Sequence, residues 1–177
     1  MGLDMYLTKK IYVGGNYEHN KITGSINILK DGKPLAVDLS KLTYIEEEAI
    51  YWRKANAIHN WFISEVQDGV DECMPHWVSF KQLESLSKLC QETLDFLSEC
   101  PIIDKVVDAG WSSSEGQLTK TIQVYDVDLE DLPIVPTSGF FFGSSHIDEW
   151  FVEDLEYTIK SIAELDPNAE YEYCSSW

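Results

Sequence analysis

Residues 41–66 read KLTYIEEEAIYWRKANAIHNWFISEV, and the point where this run turns from strand to helix decides how its polar residues are displayed. One division makes Thr43 to about Ile50 a strand and starts a helix at Trp52, as the β-branched and aromatic residues favour. The other begins the helix near Glu46, because glutamates favour helix intrinsically and sit well at its positive end. Once helical, Ala55, Ala57, Ile58, Trp61, Phe62 and Val66 cover one broad packing face. Arg53, Asn56 and Asn60 fall on a neighbouring face, with Trp52 and His59 at its flank.

On the amino-terminal side, MGLDMYLTKKIYV supports a strand from about Leu3 to Val13, interrupted by Gly14-Gly15-Asn16. SINILKDGKPLAVDL then places two short strands around Asp31-Gly32, a pair suited to a tight hairpin turn, with Pro34 confined to an edge or a strand start. On the carboxyl side, QDGVDECMPHWVSF reads as an irregular connection. Ser79 and Gln82 form a capping box, and Leu83, Leu86, Leu89, Cys90, Leu94 and Leu97 recur at helical spacing behind it. PIIDKVVDAGW reads as a brief helical piece or a structured loop, and TIQVYDVD as a strand. After the irregular LEDLPIVPTSGFFFGSS, Ser145 and Asp148 are candidate caps for a third helix marked by Trp150, Phe151, Leu155, Ile159 and Ile162 and stopped by Pro167. The closing EYEYCSSW is expected at a sheet edge. These elements predict an α+β fold: a single compact domain over residues 1–177, with an antiparallel sheet and about three helices.

With 31 acidic residues against 13 Lys plus Arg, the formal charge is -18. That field opposes direct contact with nucleic acid or an anionic membrane and favours a basic protein or a cation. No stretch reaches the roughly 20 apolar residues of a membrane span, and no signal-peptide core follows the first residues. A bacterial cytoplasmic location is expected, and Cys73, Cys90, Cys100 and Cys174 lack the spacing of a disulfide scaffold.

The chemistry on offer is recognition rather than a named reaction. Arginine clamps a carboxylate or phosphate through paired donors, amides read donors and acceptors alike, and histidine titrates near neutrality. The candidate ligand-binding residues are therefore Trp52, Arg53, Asn56, His59 and Asn60, joined by Phe141 in GFFFG and by Asp148 at the start of the third helix. A small anionic ligand fits that set, and its ordinary reading is a solvated helix face. Cys73 and His76, with Asp71 beside them, have the spacing of two metal ligands, but a structural zinc needs four and no second pair is evident. No nucleophile elbow, phosphate loop or HExxH motif is present. No catalytic residue, metal or cofactor is therefore assigned.

Four phrases belong together: MGLDMY (1–6), YWRKANAIHNWF (51–62), QDGVDEC (67–73) and SGFFFGSSHIDEWFVEDL (138–155). With them the chain resembles a family of proteins encoded by bacterial viruses and integrated viral elements, along nearly its whole length. Where relatives present a tyrosine near the late phrase, this chain reads His146-Ile147. The resemblance implies an accessory protein acting on a host protein, one class of target being a defence component, with the acidic surface facing a basic partner. Two alternatives stand beside it: a protein or enzyme for a nucleotide-like small ligand using Arg53, Asn56, His59 and Asn60, and a viral structural or assembly protein.

Overall fold

A computed structural model describes residues 2–14, 17, 19, 22, 24–114, 116–139 and 142–177. Part of the Gly14-Gly15-Asn16 turn lies outside the described residues, as do Phe140 and the site candidate Phe141. The architecture is α+β, as the patterning implies. Four strands, β1 (Asp4–Tyr12), β4 (Tyr44–Arg53), β5 (His76–Val78) and β8 (Glu170–Ser176), form an antiparallel sheet in the order β4-β1-β8-β5. Two hairpins stand apart from it, β2 (Ile28–Lys30) with β3 (Lys33–Leu35), and β6 (Ile102–Ser112) with β7 (Gly116–Tyr125). The helices among the described residues are α1 (Asn56–Glu65), α2 (Phe80–Ser98) and α3 (Glu149–Ala163).

The decisive run is a strand through Arg53, three residues beyond the expected limit. Its glutamates are held by cross-strand partners: Lys9 faces Glu47 and Lys10 faces Glu46 in the register with β1, with ion pairs of 3.6 Å in each case. Such pairs contribute little singly at an exposed surface, so the stronger determinant is the period-two alternation that follows. Ile50 and Trp52 turn inward, each 2% exposed, while Tyr51 and Arg53 turn outward. Tertiary burial here overrides the helix preference of glutamate.

The sheet's inner face carries Leu3, Met5, Leu7, Ile50, Trp52, Tyr171 and Tyr173 against the helices. Tyr173 on β8 stacks on Phe62 of α1 with centroids 3.7 Å apart and planes 5° from parallel. Trp52 on β4 donates its indole N–H to Thr158 Oγ1 on α3 at 2.9 Å. Those two contacts fix α1 and α3 to the sheet. The α2 cap is the reciprocal Ser79 and Gln82 arrangement expected from the sequence.

Three expectations are corrected. PIIDKVVDAGW is neither helix nor loop: it forms β6, because Ile102, Ile103, Val106 and Val107 are β-branched and pair across the ribbon with β7. His76–Val78 within the irregular connection is a strand. EYEYCSSW lies inside the sheet, because β8 pairs with β1 along one side and the short β5, which the sequence hid in an irregular connection, pairs with it along the other.

Candidate functional site

The chain leaves β4 through Lys54, whose φ of 62° lies in the left-handed region. A β-carbon is uncomfortable there, so the turn is held by its surroundings. Lys54 N–H donates to Leu3 O at 2.8 Å, and the Asn56 amide donates to Lys54 O at 2.8 Å, which closes the turn before α1 begins. Gly143 sits against the Lys54 stem, with φ of 88°, and a β-carbon at Gly143 would come within 3.2 Å of Lys54 Cβ. Gly139 is constrained differently: its β-carbon would meet the Phe142 ring at 2.6 Å. The GFFFG phrase is thus a close approach of backbone to Lys54 and to its own Phe142, which is buried in the core.

Asn56 carries the connection between the two distant segments. Buried at the first position of α1, it donates from Nδ2 to Phe142 O at 3.2 Å and to Ser144 O at 2.7 Å. Two carbonyl acceptors leave the amide only one sensible orientation, nitrogen toward both. The start of α1 and the 142–144 turn therefore form one rigid corner.

Beside that corner opens a cavity of about 490 Å³ whose lining includes Arg53, Lys54, Asn56, Asp148, Trp150 and Asp154. Arg53 is exposed at its mouth and pairs with Asp4 at 3.8 Å. Asp148 caps α3, accepting from Phe151 N–H at 3.2 Å. Asp154, nearly two turns further along α3, is pushed up to a pKa of about 7, first by burial and then by the charges of Glu153 and Asp148. Ala55 offers no side chain to cap α1, and the amides of Ala57 and Ile58 meet no acceptor among the described residues. A helix start left open in this way presents donors and partial positive charge to whatever fills the cavity.

The remaining candidates are elsewhere. Trp52 lies behind the site, in the core. Asn60 donates to Val135 O at 3.0 Å and anchors the 133–135 loop at a separate recess. His59 is sealed in the interior, with Tyr173 Oη 2.7 Å from Nδ1 and Phe142 packed edge-on at 5.0 Å. Burial drives the Tyr173 pKa well above 10, so the phenol keeps its proton and can donate it to Nδ1. The imidazole proton then sits on Nε2, 3.2 Å from Asp71 Oδ1, although the contact is too bent to make a good hydrogen bond. Asp71 also accepts from Trp177 Nε1 at 3.1 Å. Desolvation lowers the His59 pKa below 6.5 against the opposing pull of Asp71. His59 is accordingly a neutral packing residue bonded to Tyr173, and the outward face of four polar side chains does not form.

The structure brings together Arg53, Asn56 and Asp148, and separates Trp52, His59 and Asn60 from them. The sequence reading missed Lys54, whose neighbouring glycine at 143 was the only signal, and the role of Trp150 with Asp154. Those two are four apart on α3 and share a flank beside the buried Phe151, Leu155, Thr158 and Ile162. Cys73 and His76 do not assemble a metal centre: no group of three or more metal-ligating side chains occurs among the described residues, and His76 bonds Glu72 at 2.9 Å. Cys90 is buried, with its thiol pushed up to about 12, which silences it as a nucleophile. Comparison with known proteins matches this chain to no family model, no curated protein and no solved structure.

Asp154 and His59 give opposite pH dependences. An unfolded chain loses the Asp154 proton near 3.8, whereas the folded chain holds it to about 7, so its stabilising contribution is full below 3.8 and disappears as pH rises through about 7. Unfolded histidine gains a proton near 6.5 while buried His59 resists it, so that contribution is full above 6.5 and lost as pH falls. In urea titrations Asp154→Asn should gain stability over the parent as pH climbs from 3.8 to about 7, and His59→Gln should flatten the acid-side loss. A constant difference between Asp154→Asn and the parent across that interval would rule out the burial ascribed to Asp154.

Proposed function

We propose that the chain binds a small anionic organic ligand in the cavity between the end of β4, the start of α1 and the start of α3. The observation that carries this reading is the convergence of residues 53–58 and 143–155 on one hollow of about 490 Å³, a volume within the ordinary range for small-molecule sites. Its charge runs against the rest of the molecule. Arg53 and Lys54 contribute two of the 13 Lys and Arg residues, opposite Asp148 and an Asp154 whose carboxyl burial pushes up to about 7, toward its uncharged form. A local balance near neutral or positive, inside a chain of formal charge -18, concentrates anion affinity at this point. The open amides of α1 add donors, and Arg53 supplies a forked one. Asp154 gives the same hollow a group able to donate or accept a proton at neutral pH.

Lys54 links the site to strain. A lysine with φ of 62° is less comfortable than glycine would be, so Lys54→Gly should hold or raise stability while weakening ligand binding. A thermal-shift panel of sugar phosphates, nucleotides and small carboxylates should contain members that raise the melting temperature of the parent. Arg53→Ala should reduce their affinity about tenfold or more, as loss of a charge-assisted pair of hydrogen bonds does. If every stabilising compound acts equally on Arg53→Ala and the parent, the cavity is not the anion site.

The formal charge of -18 favours a second reading, an accessory protein of a bacterial virus that presents carboxylates to a basic host protein. Attraction of that origin is screened by salt and acts mainly on the rate of encounter. Capture of a host partner should therefore weaken steeply from low to high salt, and equal capture at both would contradict the electrostatic account.

A further inference from the structure

A second hollow, of about 510 Å³, adjoins the first and shares Asp148 and Trp150 with it. Its other wall is the root of the β6–β7 hairpin, where Ile102, Ile122, Val124 and Tyr125 supply mostly apolar surface and Gln123 an amide. The root is fixed to the segment before α3 by a backbone bond from Tyr125 N–H to Ile147 O, and its two legs are closed by one from Asp126 N–H to Pro101 O, both at 2.8 Å. Trp150 stands on the boundary between the two compartments and is 72% exposed. No aromatic ring stacks on it among the described residues. An indole left in water on the shared wall of two hollows is a ready platform for a flat apolar group.

We propose that the two hollows form one bipartite site for a phosphate ester bearing a flat aromatic ring, the chemistry of a nucleoside monophosphate. The anionic end lies by Arg53, Lys54 and the start of α1, and the ring lies on Trp150 toward the hairpin root. This rests on the reading of the first cavity as an anion site and adds the identity of the other end. The carboxylates of Asp148 and Glu149 on the wall of the second hollow disfavour a second anionic group there, and Gln123 offers both a donor and an acceptor to a ring edge. Stacking of a base on an aromatic side chain is expected to strengthen binding by about ten- to a hundredfold.

Isothermal titration of the full chain at low salt with adenosine 5′-monophosphate and with ribose 5-phosphate separates the two ends. The parent should bind the nucleotide at least about tenfold more tightly than the sugar phosphate. Trp150→Ala should remove that advantage by weakening the nucleotide at least about tenfold more than ribose 5-phosphate, whereas Arg53→Ala should weaken both. Trp150 is mostly solvent-exposed, so its replacement spares the core, and unaltered far-ultraviolet dichroism confirms this. Equal affinities for the two ligands in the parent, or an advantage that survives Trp150→Ala, overturn the bipartite site while the anion reading stands. If neither ligand binds in an Arg53-dependent way, both readings fall together.

Discussion

A single buried amide joins two segments far apart in the sequence, the start of α1 and the 142–144 turn. Asn56 Nδ2 spans the carbonyls of Phe142 and Ser144, and among the described residues no other side chain in that corner makes hydrogen bonds to both segments. Buried carbonyls without donors are costly, at about 1–3 kcal/mol each, so the bond is less a source of net stability than a condition on where the 142–144 turn can lie. With the turn in that place, Gly143 meets Lys54, Phe142 closes over His59, and the chain enters α3 beside the end of β4. The cavity is what remains between those constraints.

Strain and burial are unevenly distributed around it. Lys54 holds a left-handed conformation, and Asp154 holds a proton to about pH 7. Both are unfavourable for the fold alone and both face the same hollow, a pattern common at binding sites. His59 is the contrasting case. It is also polar and lies on α1 within a turn of Asn56, but its ring is packed between Phe142 and Tyr173 in the interior.

Much of the fold was legible because it rests on local rules. The capping box at Ser79, the Asp31-Gly32 hairpin and the α3 cap at Asp148 are all decided by residues within a few positions of one another. The strand through Arg53 was only half legible, since its extent depends on Lys9, Lys10 and the inward burial of Trp52, all set by β1 and α3. The interior position of β8 was hidden for the same reason. At the site, Arg53, Asn56 and Asp148 were readable as chemistry but not as neighbours. Placing Arg53 on a helix suggested a shared face with His59 and Asn60. Placing it on a strand turns it outward and leaves the helix to bury the other two. Trp150 was legible only as one of the apolar markers of α3, beside Phe151, and adjacent positions on a helix face different ways, so that Phe151 is buried while Trp150 is exposed.

Amide hydrogen exchange in Asn56→Leu tests the central claim most directly, because the substitution keeps the bulk of the side chain and removes the fork. The account predicts that exchange at residues 142–147 accelerates about tenfold or more, the consequence of losing roughly 1.4 kcal/mol of local protection, while β1 and β8 retain theirs. Unchanged protection at residues 142–147, or an equal loss throughout the sheet, would contradict it.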